Sequence, residues 1–493
     1  MEAVEGKRLH IAMLPWLAYG HITPFFQLSK HLAQKGHYIS FVSTPKNIER
    51  LPKVPQQLSP LINLVKLSFP SNLYVEGLPP EAESTADIPF NKFPLLSRAY
   101  QSLQEPITEF LKNSSADWLI YDPFAHFVPP MLSAINEKRG NRILRAIYFL
   151  SGASSTCWLE PQADNTGKSI RHRAPTTLED YLVPPKWIPF PSKLAYRLYE
   201  VLSIIDQVIT HHAIGDDIKD TNIIDNVLTS VKTCDAILIH SCMELESNYL
   251  KLLSELHGKP LLPTGFQTPS IQDIISREDH DHNGWQFLKG WLDKQEKGSV
   301  VYVALGSEVT PSLQMLEELA LGLELSQVPF LWALRKAKVD EVSLELPNGF
   351  EERVSDRGLI WRNWAPQLLI LEHSSVGGFL THCGWNSTLD ALQFGRPFIL
   401  LPIYADQGIN SRFLEEKELG IEIPRDEQDG SFTRNSVAES VRLVLIDEGG
   451  KTYRDKAKEI QAKVGDKNLL KHYVDELAEF LCRTKKGLVL LGT

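Results

Sequence analysis

The chain has 493 residues, 43 % hydrophobic and 23 % charged, with a formal charge of -10. That length exceeds what one hydrophobic core supports, so two domains of similar size are expected, and the acidic balance argues against nucleic acid, whose phosphates require a basic face. Five scattered cysteines with no CxxC pair give neither a disulfide framework nor a thiolate metal site, and the N-terminus does not read as a signal peptide. No uncharged apolar run approaches the roughly 20 residues of a membrane span, so a cytoplasmic monomer without an integral membrane segment is expected.

The chain opens with an apolar strand, His10 to Leu14, a loop from Pro15 to His21, a helix from Thr23 to Gln34 and a strand from Tyr38 to Ser43. Further buried strands are expected at Leu61 to Leu67, Trp118 to Tyr121, Arg145 to Leu150 and Ala236 to His240, with an irregular polar loop from Asp164 to Lys186. After a second polar stretch the alternation restarts: strand Ser299 to Leu305, helix Ser312 to Leu325, then strands Phe330 to Leu334, Leu359 to Trp361 and Gly377 to Thr381. Strands alternating with helices imply a parallel sheet covered on both faces. The expected fold class is therefore α/β, with two facing doubly wound, Rossmann-like domains whose ligands bind beyond the carboxyl ends of the strands. The expected division is 1–267 for an acceptor-binding domain, 268–284 for a linker, 285–465 for a donor-binding domain, and 466–493 for a C-terminal helix packing back on the first domain.

The stretch WAPQLLILEHSSVGGFLTHCGWNSTLDALQFGRPFILLPIYADQ, Trp364 to Gln407, reads as strand, tight turn, helix, strand. Ser387 with Asp390 has the spacing of a capping box, so the N–H groups near Asn386 and Ser387 are expected to face an anion. Gly384 admits close backbone approach, and His382, Asn386 and Ser387 add donors for a diphosphate. Trp364, with Ala365 and Gln367 beside it, suits a flat base such as uracil. Asp390 suits a ribose diol, Asp406 and Gln407 at the next strand end suit a hexose, and the Gly306-Ser307 turn presents one more hydroxyl.

This segment resembles the signature box of plant family 1 UDP-glycosyltransferases, enzymes of the GT-B fold. The resemblance implies that Trp364 stacks on uracil, that Gln367 and Asp390 hold the ribose, and that His382, Asn386, Ser387 and Ser307 hold the diphosphate. It further implies that Asp406 and Gln407 hold the sugar, with Ala365, Gly384 and Trp385 completing the donor site. Asp390 departs from the pattern, since the family usually carries Glu there. The UDP-sugar is then a co-substrate, with neither cofactor nor metal expected.

Transfer to a hydroxyl needs a general base, and neutral imidazole suits the task. His21, after the first strand, is the candidate; Asp122, at the end of DWLIY, is the acid expected to orient it, with His126 as a rival. The family's His–Asp dyad matches these positions and implies inversion in one displacement. A nicotinamide oxidoreductase is disfavoured because PWLAYGH replaces the GxGxxG fingerprint after the first strand. A noncatalytic UDP-sugar-binding protein is the alternative from another class, discriminated by turnover.

The segments PWLAYGHITPFFQLSKHLAQKGHYISFVSTPKNIERLP and VEGLPPEAESTADIP resemble the branch of the family that extends a sugar already present on a flavonoid, diterpene or triterpene glycoside. Gln407 matches the residue that glucose-using members of the family usually carry, so the resemblance implies UDP-glucose, with UDP-rhamnose the competing donor. The residues that hold the acceptor are not legible.

Overall fold

The computed structural model describes residues 8–70, 75–89, 92–159, 177–203, 223–275, 282–306, 311–334 and 345–491. Its sheets grow from short apolar runs buried on both faces: WLIY, LRAIYF and AILI have no exposed position, as strands covered by helices on either side require. The first sheet comprises β1 (His10–Leu14), β2 (Tyr38–Ser43), β3 (Ile62–Lys66), β4 (Trp118–Tyr121), β5 (Leu144–Phe149), β6 (Ala236–Ile239) and β7 (Leu261–Pro263). All pairings are parallel, in the order β3-β2-β1-β4-β5-β6-β7. Ile11, Met13, Phe25, Phe26, Phe41, Trp118 and Tyr148 fill its core.

The second sheet comprises β8 (Val300–Ala304), β9 (Phe330–Ala333), β10 (Gly358–Trp361), β11 (Val376–Thr381), β12 (Phe398–Leu400) and β13 (Gly420–Glu422). It too is parallel, in the order β10-β9-β8-β11-β12-β13, over a core that includes Val301, Val303, Leu316, Phe330, Trp332 and Leu380. The helix Leu313–Ser326 begins one residue after the expected start because Ser312 is its cap, the hydroxyl accepting from the Met315 N–H at 3.2 Å.

The chain divides into two compact units, one of Met1–Ala174, His211–Pro269 and Lys467–Thr493, the other of Pro175–Thr210 and Ser270–Asp466. The helix Lys467–Leu491 contributes Leu477 and Leu481 to the first core, and Trp118 Nε1 donates to the Leu481 carbonyl at 3.2 Å. Residues 175–210 depart from the expectation that everything up to 267 belongs with the first sheet. Within the described part of that stretch, Glu200 pairs with Arg412 at 2.8 Å, both side chains almost fully buried. The expected 268–284 linker contains the helix Ile271–Ile275, whose Ile274 packs with Leu368 and Leu369 of the second unit.

Candidate active site

In the first unit β1 lies beside β4, so the segments leaving their carboxyl ends emerge together at the point where strand order reverses. The chain leaving β1 enters the helix Tyr19–Gln34, and His21 lies in its first turn. His21 had been expected in a loop ahead of a helix starting at Thr23. Gly20 and the interior Pro24 oppose the helix by about 1 and about 3 kcal/mol, but burial of Ile22, Phe25 and Phe26, about 1.5–3 kcal/mol each, outweighs both.

The chain leaving β4 places Asp122, which is fully buried. Its Oδ2 lies 2.6 Å from His21 Nδ1, and its Oδ1 accepts the Phe124 N–H at 3.0 Å. With both oxygens engaged, the carboxylate has one orientation. An ionised carboxylate only accepts, so Nδ1 carries hydrogen and Nε2 keeps the lone pair that can take a proton. His21 is 27 % exposed and therefore within reach of a ligand.

His126, the rival partner, is not bonded to this pair: neither of its ring nitrogens has a hydrogen-bond partner among the described residues, and burial pushes its pKa down. An aromatic group flanks the dyad, with Phe124 5.8 Å from His21, 5.1 Å from Trp16 and 5.6 Å from Phe93 between ring centroids. Sequence reasoning named none of these three. The available signal was the aromatic content of PWLAYGH and DPFAHF around the two dyad residues.

The second unit repeats the logic, with β8 beside β11. The chain leaves β8 through Gly306, in the left-handed region at φ 79, and leaves β11 at His382. A Cβ on Gly306 would lie 2.6 Å from His382 Nε2, and one on Gly384 would lie 2.5 Å from the same atom. His382 thus occupies a slot that only glycine permits on both sides.

Gly384 caps the helix Trp385–Leu392 without any side-chain hydrogen bond. The expected capping box is therefore absent: Ser387 and Asp390 lie inside the helix, where both face Gln367. Gln367 Nε2 donates to Asp390 Oδ2 at 2.8 Å and approaches Ser387 Oγ at 3.3 Å. The first-turn N–H groups, which have no intrahelical acceptor, are accordingly those of Trp385, Asn386 and Ser387. Burial pushes the Asp390 carboxyl up to about 7, against the pull of the Gln367 bond.

Trp364 is 50 % exposed, and its carbonyl accepts from Trp361 Nε1 at 2.9 Å. Ala365 follows it, its carbonyl accepting the Gln367 N–H at 2.9 Å. Trp385 by contrast is buried, its ring edge-on to Phe413 at 6.0 Å, so its main-chain N–H is what it can offer a ligand. Asp406 and Gln407 do not end a strand but open the helix Gln407–Glu416. Gln407 Oε1 accepts from the Ile403 and Tyr404 N–H groups at 2.9 and 3.1 Å, bonds that do not engage its amide nitrogen. Ser307 lies outside the described residues.

One site residue escaped sequence reasoning because it falls just past the box. Buried Asn410 donates through Nδ2 to the Cys383 carbonyl at 3.0 Å and to Asp406 Oδ2 at 3.2 Å. Cys383 sits at φ 67, a strained conformation for a non-glycine residue, so Asn410 holds the turn after β11 and steadies the Asp406 carboxylate. Among the described residues no group of three or more His, Cys, Asp or Glu could hold a metal ion, and no helix is long and apolar enough to cross a membrane.

The profile of the family described as UDP-glucoronosyl and UDP-glucosyl transferase matches residues 209–460, which carry the whole of the second site. The chain is similar to UDP-glycosyltransferase 91C1 of Arabidopsis thaliana, 42 % identical over 475 residues that cover 96 % of each protein. The protein belongs to the UDP-glycosyltransferase family. Another relative of this glycosyltransferase is soyasaponin III rhamnosyltransferase of Glycine max, 40 % identical over 97 % of this chain and 96 % of that one. Its fold is that of a solved Glycyrrhiza uralensis UGT complexed with glycyrrhetinic acid 3-O-monoglucuronide, at a TM-score of 0.77 and 21 % identity over 98 % of both chains. It is likewise that of an Arabidopsis thaliana UGT complexed with UDP-L-rhamnose, at a TM-score of 0.71 and 21 % identity over 97 % of this chain and all of that one.

Proposed function

We propose that this UDP-glycosyltransferase moves glucose from UDP-glucose to a hydroxyl of a plant natural-product glycoside, in one inverting displacement that needs no metal. The observation that carries the mechanism is the 2.6 Å contact between His21 Nδ1 and the buried Asp122 carboxylate. His21 Nε2 takes the acceptor proton while the acceptor oxygen bonds to the anomeric carbon. The bond from that carbon to the diphosphate breaks, and Asp122 stabilises the imidazolium that forms.

On the donor side, Trp364 stacks on uracil beside the Ala365 main chain, and Gln367 with Asp390 holds the ribose. The negative charge that develops on the leaving diphosphate meets Gly384, the first-turn N–H groups of Trp385, Asn386 and Ser387, the His382 side chain and the Ser307 hydroxyl. Asp406 accepts from the sugar's hydroxyls, and the Gln407 amide donates to them.

A glycosylated acceptor is supported by the resemblance of the N-terminal segments to the sugar-extending branch and by the soyasaponin III rhamnosyltransferase relative. That same relative favours UDP-rhamnose as the second reading for the donor. The test is mass spectrometry of products from UDP-glucose and, separately, UDP-rhamnose against a panel of flavonoid and terpenoid glycosides and their aglycones. Gain of one hexose on a glycoside supports the proposal, gain of a deoxyhexose selects the second donor, and binding without any gain supports a noncatalytic role. Turnover is expected to survive EDTA; strict dependence on a divalent cation overturns the metal-free displacement.

A further inference from the structure

Tyr196 and Ala405 are 209 positions apart in the chain, yet the Tyr196 hydroxyl donates to the Ala405 carbonyl at 3.2 Å. Ala405 has φ 56, in the left-handed region where a side chain is strained, and it immediately precedes Asp406 and Gln407. A non-glycine residue keeps such a conformation only where its surroundings over-determine it. Tyr196, 4 % exposed, is one such constraint.

Four residues on, Glu200 supplies another. Its Oε2 accepts from Arg412 Nη2 at 2.8 Å and from the Arg197 N–H at 2.8 Å. Arg412 in turn donates to the Gly408 carbonyl at 2.8 Å and pairs with Glu422 at 3.0 Å, so the first turns of the helix Gln407–Glu416 are tied to Glu200 through a buried cation. The other oxygen, Glu200 Oε1, is buried with no hydrogen-bond partner among the described residues. It lines a cavity of about 10 Å³ together with Ser203, Ile403, Tyr404, Ala405 and Gly408, room for about one water. A Cβ at Gly408 would lie 2.6 Å from that oxygen, so a glycine there is what lets Glu200 approach. Between the two, Tyr199 stacks under the Arg425 guanidinium at 4.7 Å and fixes the intervening turn to the same unit.

We propose that residues 192–203 are a positioning element for the sugar end of the donor site, with Tyr196 and Glu200 as its positioning residues. They hold the 403–408 turn that presents Asp406 and Gln407, and so govern how the donor's sugar is seated rather than how tightly uridine and diphosphate bind. The inference rests on the reading that Asp406 and Gln407 hold the sugar. The residues assigned to uracil and ribose lie between Trp364 and Asp390, and none of the contacts just described reaches them.

The test is Tyr196→Phe in the full chain, with calorimetric affinities for UDP and for UDP-glucose and, in parallel, kcat and KM for donor. Loss of one buried hydrogen bond predicts that kcat/KM for UDP-glucose falls about three- to tenfold. UDP affinity stays within about twofold, and preference for glucose over other UDP-sugars narrows. Glu200→Gln, which keeps shape and removes charge, is expected to act in the same direction; should it fail to fold, Tyr196→Phe still decides. Unchanged kcat/KM and unchanged donor preference in Tyr196→Phe overturn the proposal, as does a parallel loss of UDP affinity, which marks a general disturbance of the unit. If the wild type transfers no sugar at all, the functional reading fails. The difference in affinity between UDP-glucose and UDP still tests the positioning role by itself.

Discussion

Replacing Asp122 by Asn changes almost no volume, and the geometry around it dictates the result. Oδ1 accepts the Phe124 N–H at 3.0 Å, while Oδ2 faces His21 Nδ1 at 2.6 Å. In the variant the amide oxygen stays on the Phe124 N–H, because the flipped amide would set two donors against each other in a fully buried position at a cost of about 1–3 kcal/mol. The NH2 group then points at His21 and selects the tautomer with hydrogen on Nε2, which cannot take a proton from an acceptor. That preference alone is worth about 5- to 150-fold. Loss of a charge-assisted partner for the imidazolium adds about 1.5–3 kcal/mol, so kcat is expected to fall by about 10²–10⁴-fold. The assay is initial rate at saturating UDP-glucose, alongside calorimetry of UDP, whose affinity stays unchanged because the donor residues belong to the other unit. A variant within threefold of wild type refutes the dyad.

Trp364→Ala is expected to weaken UDP by about 1–3 kcal/mol, the scale of base–aromatic stacking; unchanged affinity by calorimetry removes its stacking role. Gly384 has an ordinary φ of -62, so Gly384→Ala is a purely steric insertion beside His382. An overpacking cost of about 1–3 kcal/mol predicts a loss of at least fivefold in UDP-glucose affinity, and an unperturbed Kd contradicts the slot. The Asp390 carboxyl, raised to about 7, gives a third expectation. Ribose hydroxyls donate to its ionised form, so binding lowers that pKa, and UDP-glucose affinity is full above it and falls by up to about tenfold per pH unit below it. The comparison is with Asp390→Asn, which is expected to lose the decline; identical pH profiles contradict ribose recognition by the carboxylate.

The long buried strands were legible because a parallel sheet writes continuous apolar runs, and β4 begins and ends where WLIY does. β7 and β13 were not: each has three residues, as β12 does, but only β12 stands in a longer apolar run, FILLPI. The strand, turn, helix and strand between Gly377 and Leu400 were legible, but the helix start was not: the Ser387 and Asp390 spacing imitates a cap, whereas both residues face Gln367 from within the helix. The attachment of residues 192–203 to the second unit was hidden for a different reason. It runs through Tyr196, Glu200 and Arg412, polar groups far apart in the chain, whose partners are set by tertiary packing and leave no local pattern. Asn410 was passed over although it stands three residues beyond Gln407, close to the next position on one helix face.

The most direct test of the central claim, a single displacement by a hydroxyl that His21 deprotonates, is the anomeric configuration of the transferred sugar, read by proton NMR of the purified product. The α-linked glucose of UDP-glucose is expected to emerge β-linked; an α-linked product means the anomeric centre was retained and contradicts the account.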